Sequence, residues 1–197
     1  MKLHSIMLMA ALLVAGSPGV RAQASAPPDQ SARVAQFLNG FSQVCLHTDQ
    51  TEEAVNAAIN IHHGRKISRE ESEVANSKRK LIKSVWEIGG PDGFSIILIR
   101  GLTVSGMPNQ GFDGACMADM KGPADLNVIE PFDHLLEQYA SQAGTTLKVW
   151  PSFNSGPPDD PGFGKLYFVG SGLVSFNYEK PSDGQPSYTL SYSLSTK

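Results

Sequence analysis

The sequence predicts an α+β domain, with an N-terminal helical layer followed by β-β-α-β-β-β and a mostly antiparallel single sheet of about five strands. Three observations carry that expectation. Val34, Phe37, Leu38, Phe41, Val44 and Cys45 recur at helical spacing on one stripe. The stretch from Gly93 to Met120 holds two apolar runs around a Gly/Pro/Asn break, which reads as paired strands. Near the end, Tyr188, Leu190, Tyr192 and Leu194 alternate with Thr189, Ser191, Ser193 and Ser195, so one face should be packed and the other wet.

Residues 1–22 read as an export signal. Lys2 supplies the positive start, Ile6 to Ala15 is apolar but short for a bilayer span, and Val20-Arg21-Ala22 offers small residues for cleavage, with Ala22-Gln23-Ala24 as the alternative cut. Residues 23–31, with two prolines and little apolar content, read as a flexible leader, and 32–197 as one α+β domain. Without Lys2 and Arg21 the mature chain carries 14 basic and 19 acidic side chains, a formal charge of −5. That balance argues against a nucleic-acid binder. The expected place is the periplasm or the cell exterior, with no membrane span in the mature form.

A helix from Ala32 places Cys45 on its buried stripe. Asp49-Gln50-Thr51-Glu52 has capping-box spacing before a second helix with Ala54, Val55, Ala58, Ile59 and His62 on its apolar face, and Gly64 suits a left-handed cap. Residues 65–83 hold seven of the mature basic side chains, interleaved with Glu70, Glu71 and Glu73. This is read as a solvated helix face or mobile loop. The functional alternative is an anion-binding patch of Lys78, Arg79, Lys80 and Lys83, facing an anionic envelope surface or a protein partner.

In the first central strand Ile96 and Leu98 point one way and Ile97 and Ile99 the other, which suggests burial on both faces. A helix is expected over 127–143, opened by Asn127 and Glu130 as a capping box and closed at Gly144. Strands follow over 145–150, 165–169, 173–179 and 188–195.

Cys45 and Cys116 are the only cysteines. In an exported chain, with each on an apolar face, they favour a structural disulfide over free or catalytic thiols. No zinc or cofactor signature is found: His62 and His63 are adjacent and splay on a helix, and His47 and His134 lack partners at helical spacing. No nucleophile elbow or phosphate-binding glycine loop occurs, and Asp159-Asp160 lacks EF-hand spacing. Arg100 shares the face of Ile96 and Leu98. It is read as a strand-end arginine that seeks a carboxylate, with ligand binding as the alternative.

The segments Phe41-Ser42-Gln43-Val44-Cys45-Leu46 and Gly114-Ala115-Cys116-Met117-Ala118-Asp119, with a tryptophan-led turn between them, resemble a group of small exported proteobacterial proteins of uncharacterised function. The resemblance implies export and the helix-to-strand cysteine pair, and it supplies no active site. The function expected is an exported, disulfide-stapled, non-enzymatic binding or accessory protein. The alternative is a hydrolase-like periplasmic enzyme whose site is assembled from distant ionisable residues such as His62, Arg100, Asp119 and His134.

Overall fold

The structure, a computed structural model, describes residues 30–73, 80–101, 111–112, 114–123, 126–150, 163–180 and 184–196. The export signal, most of the leader, Lys78, Arg79, Asp159 and Asp160 lie outside the described residues.

Helix α1 spans Gln30–Phe41, so it starts two residues inside the stretch read as leader. Its apolar stripe continues into a π-helical turn, Ser42–Leu46. Phe41, Ser42, Val44, Cys45 and Leu46 are all buried, which a 3.6-residue stripe cannot achieve for near-consecutive positions. The wider turn, closed by the His47 amide donating to Ser42 O at 3.1 Å, rotates the extra residue inward.

Helix α2 is Glu52–Ile61, capped by Thr51, whose hydroxyl accepts from the Ala54 amide. The expected capping box is thereby corrected. Asp49 does not cap the helix; it accepts from the Thr51 amide and hydroxyl and so holds the capping residue in place. Gly64 is also corrected, since the left-handed position that ends α2 belongs to His63, at φ 55°. Gly64 is required for space: a Cβ there would lie 2.5 Å from Ile59 Cγ2 and 2.8 Å from Ile88 Cγ1.

The strands are β1 (Arg65–Glu73), β2 (Lys80–Ile88), β3 (Phe94–Arg100), β4 (Gly111–Phe112), β5 (Gly114–Lys121), β6 (Leu147–Val149), β7 (Gly164–Val169), β8 (Gly172–Glu179) and β9 (Ser187–Thr196), with α3 (Ile129–Gln142) between β5 and β6. They form one antiparallel sheet in the order β1-β2-β3-β5-β9-β8-β7-β6, with β4 paired to β9. Two meanders, β1-β2-β3-β5 and β6-β7-β8-β9, join through their last strands, where Cys116 faces Tyr192 and Ala118 faces Leu190.

The α+β class with an N-terminal helical layer stands, but the sheet is wider than expected because Arg65–Glu73 and Lys80–Ile88 form strands. The reading as helix face or loop is wrong for 65–73 and 80–83, while 74–79 lie outside the described residues. Opposite charges pair across the ladder, Glu70 with Lys83 and Glu73 with Lys80, a relation between two segments that a charge count along one segment does not contain. A strand so charged at the sheet edge also blocks edge-to-edge association.

Every described helix packs on one face of the sheet. Phe37 meets Phe94 edge to face, Phe41 meets Phe132, and Phe132 in turn meets Tyr167 and Phe176. Trp86 is 1% exposed and donates Nε1–H to Asn56 Oδ1 at 2.7 Å, which docks α2 on β2. On this face Ile96 and Leu98 are fully buried, whereas Ile97 and Ile99 on the other are only half-buried. The expected double burial of β3 is therefore corrected, because no described element lies over its second face. Helix α3 begins two residues late, after Val128. Asn127 and Glu130 bond each other at 3.1 Å and do not form the expected capping box.

Candidate functional site

Cys45, in the π-helical turn, and Cys116, in β5, are bonded, with Cα atoms 5.3 Å apart. Both are fully buried. Gln50 lies beside them in the left-handed region at φ 57°. Its side-chain amide reaches the carbonyls of Tyr192 at 3.2 Å and Cys45 at 3.4 Å. The loop before α2 is thus tied both to the disulfide turn and to β9, which outweighs the strain of a non-glycine residue there.

Of the candidate anion patch only Lys80 and Lys83 are among the described residues, and several basic side chains of the same hairpin are engaged in ion pairs. Arg65 pairs with Glu87 at 2.8 Å, Arg69 with Glu71 at 2.5 Å, Lys66 with Glu52, and Lys80 with Glu71 at 3.8 Å. The hydrogen bond from Lys66 is the main cause that holds the Glu52 carboxyl below its ordinary range. Lys80 and Lys83 lie three residues apart on β2 and so on opposite faces of the sheet, and these two described lysines do not converge.

Arg100 is exposed at the end of β3, where its charge adds a small lowering to the Asp49 carboxyl. That carboxyl is held below its usual range first by the hydrogen bonds from Thr51. His62 bonds Gln43 at 2.8 Å, His134 bonds Gln138 at 3.0 Å, and Asp119 accepts from Thr189 at 2.8 Å and Ser187 at 3.4 Å. Among the described residues, none of these four bonds another, and they stand on different elements.

A cluster that sequence reasoning missed is Asp133 of α3, which accepts from Lys165 Nζ at 2.8 Å and from the Tyr167 hydroxyl. Burial, reinforced by this hydrogen bond, holds the Tyr167 phenol well above its ordinary range. Such a phenol stays protonated and is a poor base or nucleophile, so the cluster anchors α3 to β7. Tyr192 is raised by burial too, and then by its bond with Tyr139.

Among the described residues, three clefts border the helical layer or the sheet end beside it. The first, about 240 Å³, lies between the N-terminal turn of α1 and the sheet end, with Arg33, Lys121, Glu87, Asp92, Ser95 and Asp119 on its walls. Arg33 Nη2 donates to Lys121 O at 2.5 Å, and its Nε is buried with no partner among the described residues. The second, about 490 Å³, is apolar, with Val34, Ala35, Leu126 and Pro131. The third, about 320 Å³, runs between the C-terminal halves of α1 and α3 and carries Asn39, Gln43, His47, Gln138, Tyr139 and Gln142, together with Leu135.

The far face of the sheet carries no described helix, although Leu166 and Ser193 on it are buried. The register places Val85, Ile97, Met117, Ser191, Ser175 and Leu166 in one row across six strands. The next row carries Ile99 and Ala115, and farther across it Leu173 and Phe168, with Trp150 lying 5.2 Å from Phe168 between ring centroids. Val85, Ile97, Ile99 and Met117 are each half-buried. Charge is confined to the margins: Glu87 and Asp119 in the row toward one end, Lys83 and Lys148 toward the other.

Compared with family models, with curated proteins and with solved structures, the chain finds no match.

Proposed function

We propose that this chain is an exported, disulfide-stapled binding protein that engages a protein partner through the open face of its sheet. The observation that carries the reading is one-sided layering: all described helices cover one face, while the other presents Val85, Ile97, Ile99 and Met117 as a continuous apolar strip. An apolar centre with a charged margin has the anatomy of a protein interface. The hydroxyls of Ser175 and Ser191, 2.7 Å apart, satisfy one another beside the strip, so a flat partner can lie over them without a large polar cost. The buried disulfide fits export, since such bonds persist in oxidising compartments. Against an enzyme, the ionisable candidates sit apart and Tyr167 is held protonated.

The test uses two baits, the mature protein and its Ile97→Asp, Met117→Asp double variant, in cross-linking from native envelope extract. One dominant partner, retained by the first bait and lost by the second, is the expected result. If both baits recover the same partners, the sheet face is not the interface. N-terminal sequencing of the exported product checks the compartment, with Gln23 expected as the first residue. An uncleaved product retained in the cytosol would refute export.

A further inference from the structure

The groove between α1 and α3 has a chemistry distinct from that of the sheet face. Asn39 and Gln43 stand one helical turn apart on one wall, and Gln138 and Gln142 stand one turn apart on the other. Two helices therefore present facing pairs of side-chain amides, and none of the residues lining the groove is an acid, a lysine or an arginine. The π-helical turn brings His47 to the end of this groove. Its Nδ1 donates to Ser42 O at 2.9 Å. The Tyr139 ring lies 5.3 Å from the His47 ring, with its hydroxyl committed to Leu46 O, and Tyr139 and Leu135 give the groove an aromatic and an aliphatic lining.

Part of the hydrogen-bonding capacity is spent to orient the amides. Gln43 Nε2 donates to Asn39 Oδ1 at 3.1 Å, and Gln43 Oε1 is engaged with His62 at 2.8 Å. The amide of Gln138 is turned by its contact with His134 at 3.0 Å. Asn39 is left with its Nδ2 donors, Gln138 with its carbonyl acceptor, and Gln142 with both. Donors on one wall and acceptors on the other suit sugar hydroxyls, each of which gives and takes a hydrogen bond. An aromatic and aliphatic lining matches the C–H face of a sugar ring. A cationic or anionic ligand would find no counter-charge on these walls.

From this we infer that the α1–α3 groove is a binding site for a neutral saccharide, of a size suited to the end of an oligosaccharide chain; at about 320 Å³ it lies at the small end of ligand pockets. The site is independent of the sheet face, so protein and glycan occupy opposite sides of the molecule.

The experiment is saturation-transfer NMR and calorimetry on the disulfide-bonded mature protein. The probes are the trimer of N-acetylglucosamine, maltotriose, and an uncharged glycine–serine peptide of similar size. Saturable binding of at least one of the two saccharides is expected, with ring protons of the sugar receiving saturation. Gln138→Ala with Gln142→Ala should weaken it roughly tenfold, and Asn39→Ala with Gln43→Ala should do likewise. Lys148→Ala, on the far face, should leave it unchanged. The two amide pairs are on solvent-facing helix surfaces, and an unaltered melting midpoint verifies each fold. Should one pair impair folding, the other still decides. Absence of saturable saccharide binding, preference for the peptide, or binding that survives both amide variants overturns the proposal.

Discussion

Replacing Cys45 and Cys116 together by alanine removes the one covalent tie between the helical layer and the middle of the sheet. The two residues are 71 apart in sequence. On the chain-entropy account, opening a loop of that length releases about 4 kcal/mol of constraint on the unfolded chain. Alanine avoids placing an unpaired hydroxyl at two sites that are fully buried, so the loss is not inflated by desolvation. For a domain of this size each kcal/mol moves the melting midpoint by about 2–4 °C, so a fall of roughly 8–16 °C is expected. Scanning calorimetry of the variant and the parent measures it. Reduction of the parent should produce a similar fall. The loss should also be local in its first expression. Hydrogen exchange at the amides of 41–47 should accelerate before that of β5, because β5 keeps its ladders to β3 and β9. A midpoint lowered by less than about 4 °C would refute the reasoning, since the helical layer would then be held by packing alone.

Gly64→Ala should destabilise the fold by about 1–3 kcal/mol through overpacking against Ile59 and Ile88, whereas His63→Gly should stabilise it slightly by relieving φ 55°. Denaturant midpoints of the two variants decide this, and equal effects would contradict the assignment of roles. Tyr167 and Tyr192 should ionise late in a spectrophotometric titration. With folded values raised above the unfolded phenol at about 10, the stability they contribute is complete below that pH and is lost as the pH rises beyond it. Tyr167→Phe should flatten part of that alkaline limb, and an unchanged limb would count against it. Glu52 has the opposite sign. Its depressed folded value contributes stability above the ordinary carboxylate range and loses it as the pH falls. Carboxyl NMR should show its titration return toward the ordinary range in Lys66→Gln.

Periodicity and chemistry by themselves determined a good part of this protein. The stripe from Val34 to Cys45 and the alternation from Tyr188 to Leu194 were legible because each encodes local geometry through side-chain spacing. The cysteines were legible as a pair because only two occur and both fall on apolar faces. Tertiary structure decided the rest. Residues 65–83 read as solvated because no apolar face marks β1; the strand exists through its ladder to β2, and a ladder is a relation between segments. The π-helical turn depends on how many of Phe41 to Leu46 the sheet can bury, which no helical wheel contains. Asn39, Gln43, Gln138 and Gln142 were visible only as polar residues on two separate helices. That they face each other follows from both helices packing on the same face of one sheet, about a hundred residues of chain apart. The uncovered face of Ile97 and Met117 is of the same kind, since a strand's alternation records which residues share a face and leaves open what, if anything, lies over it.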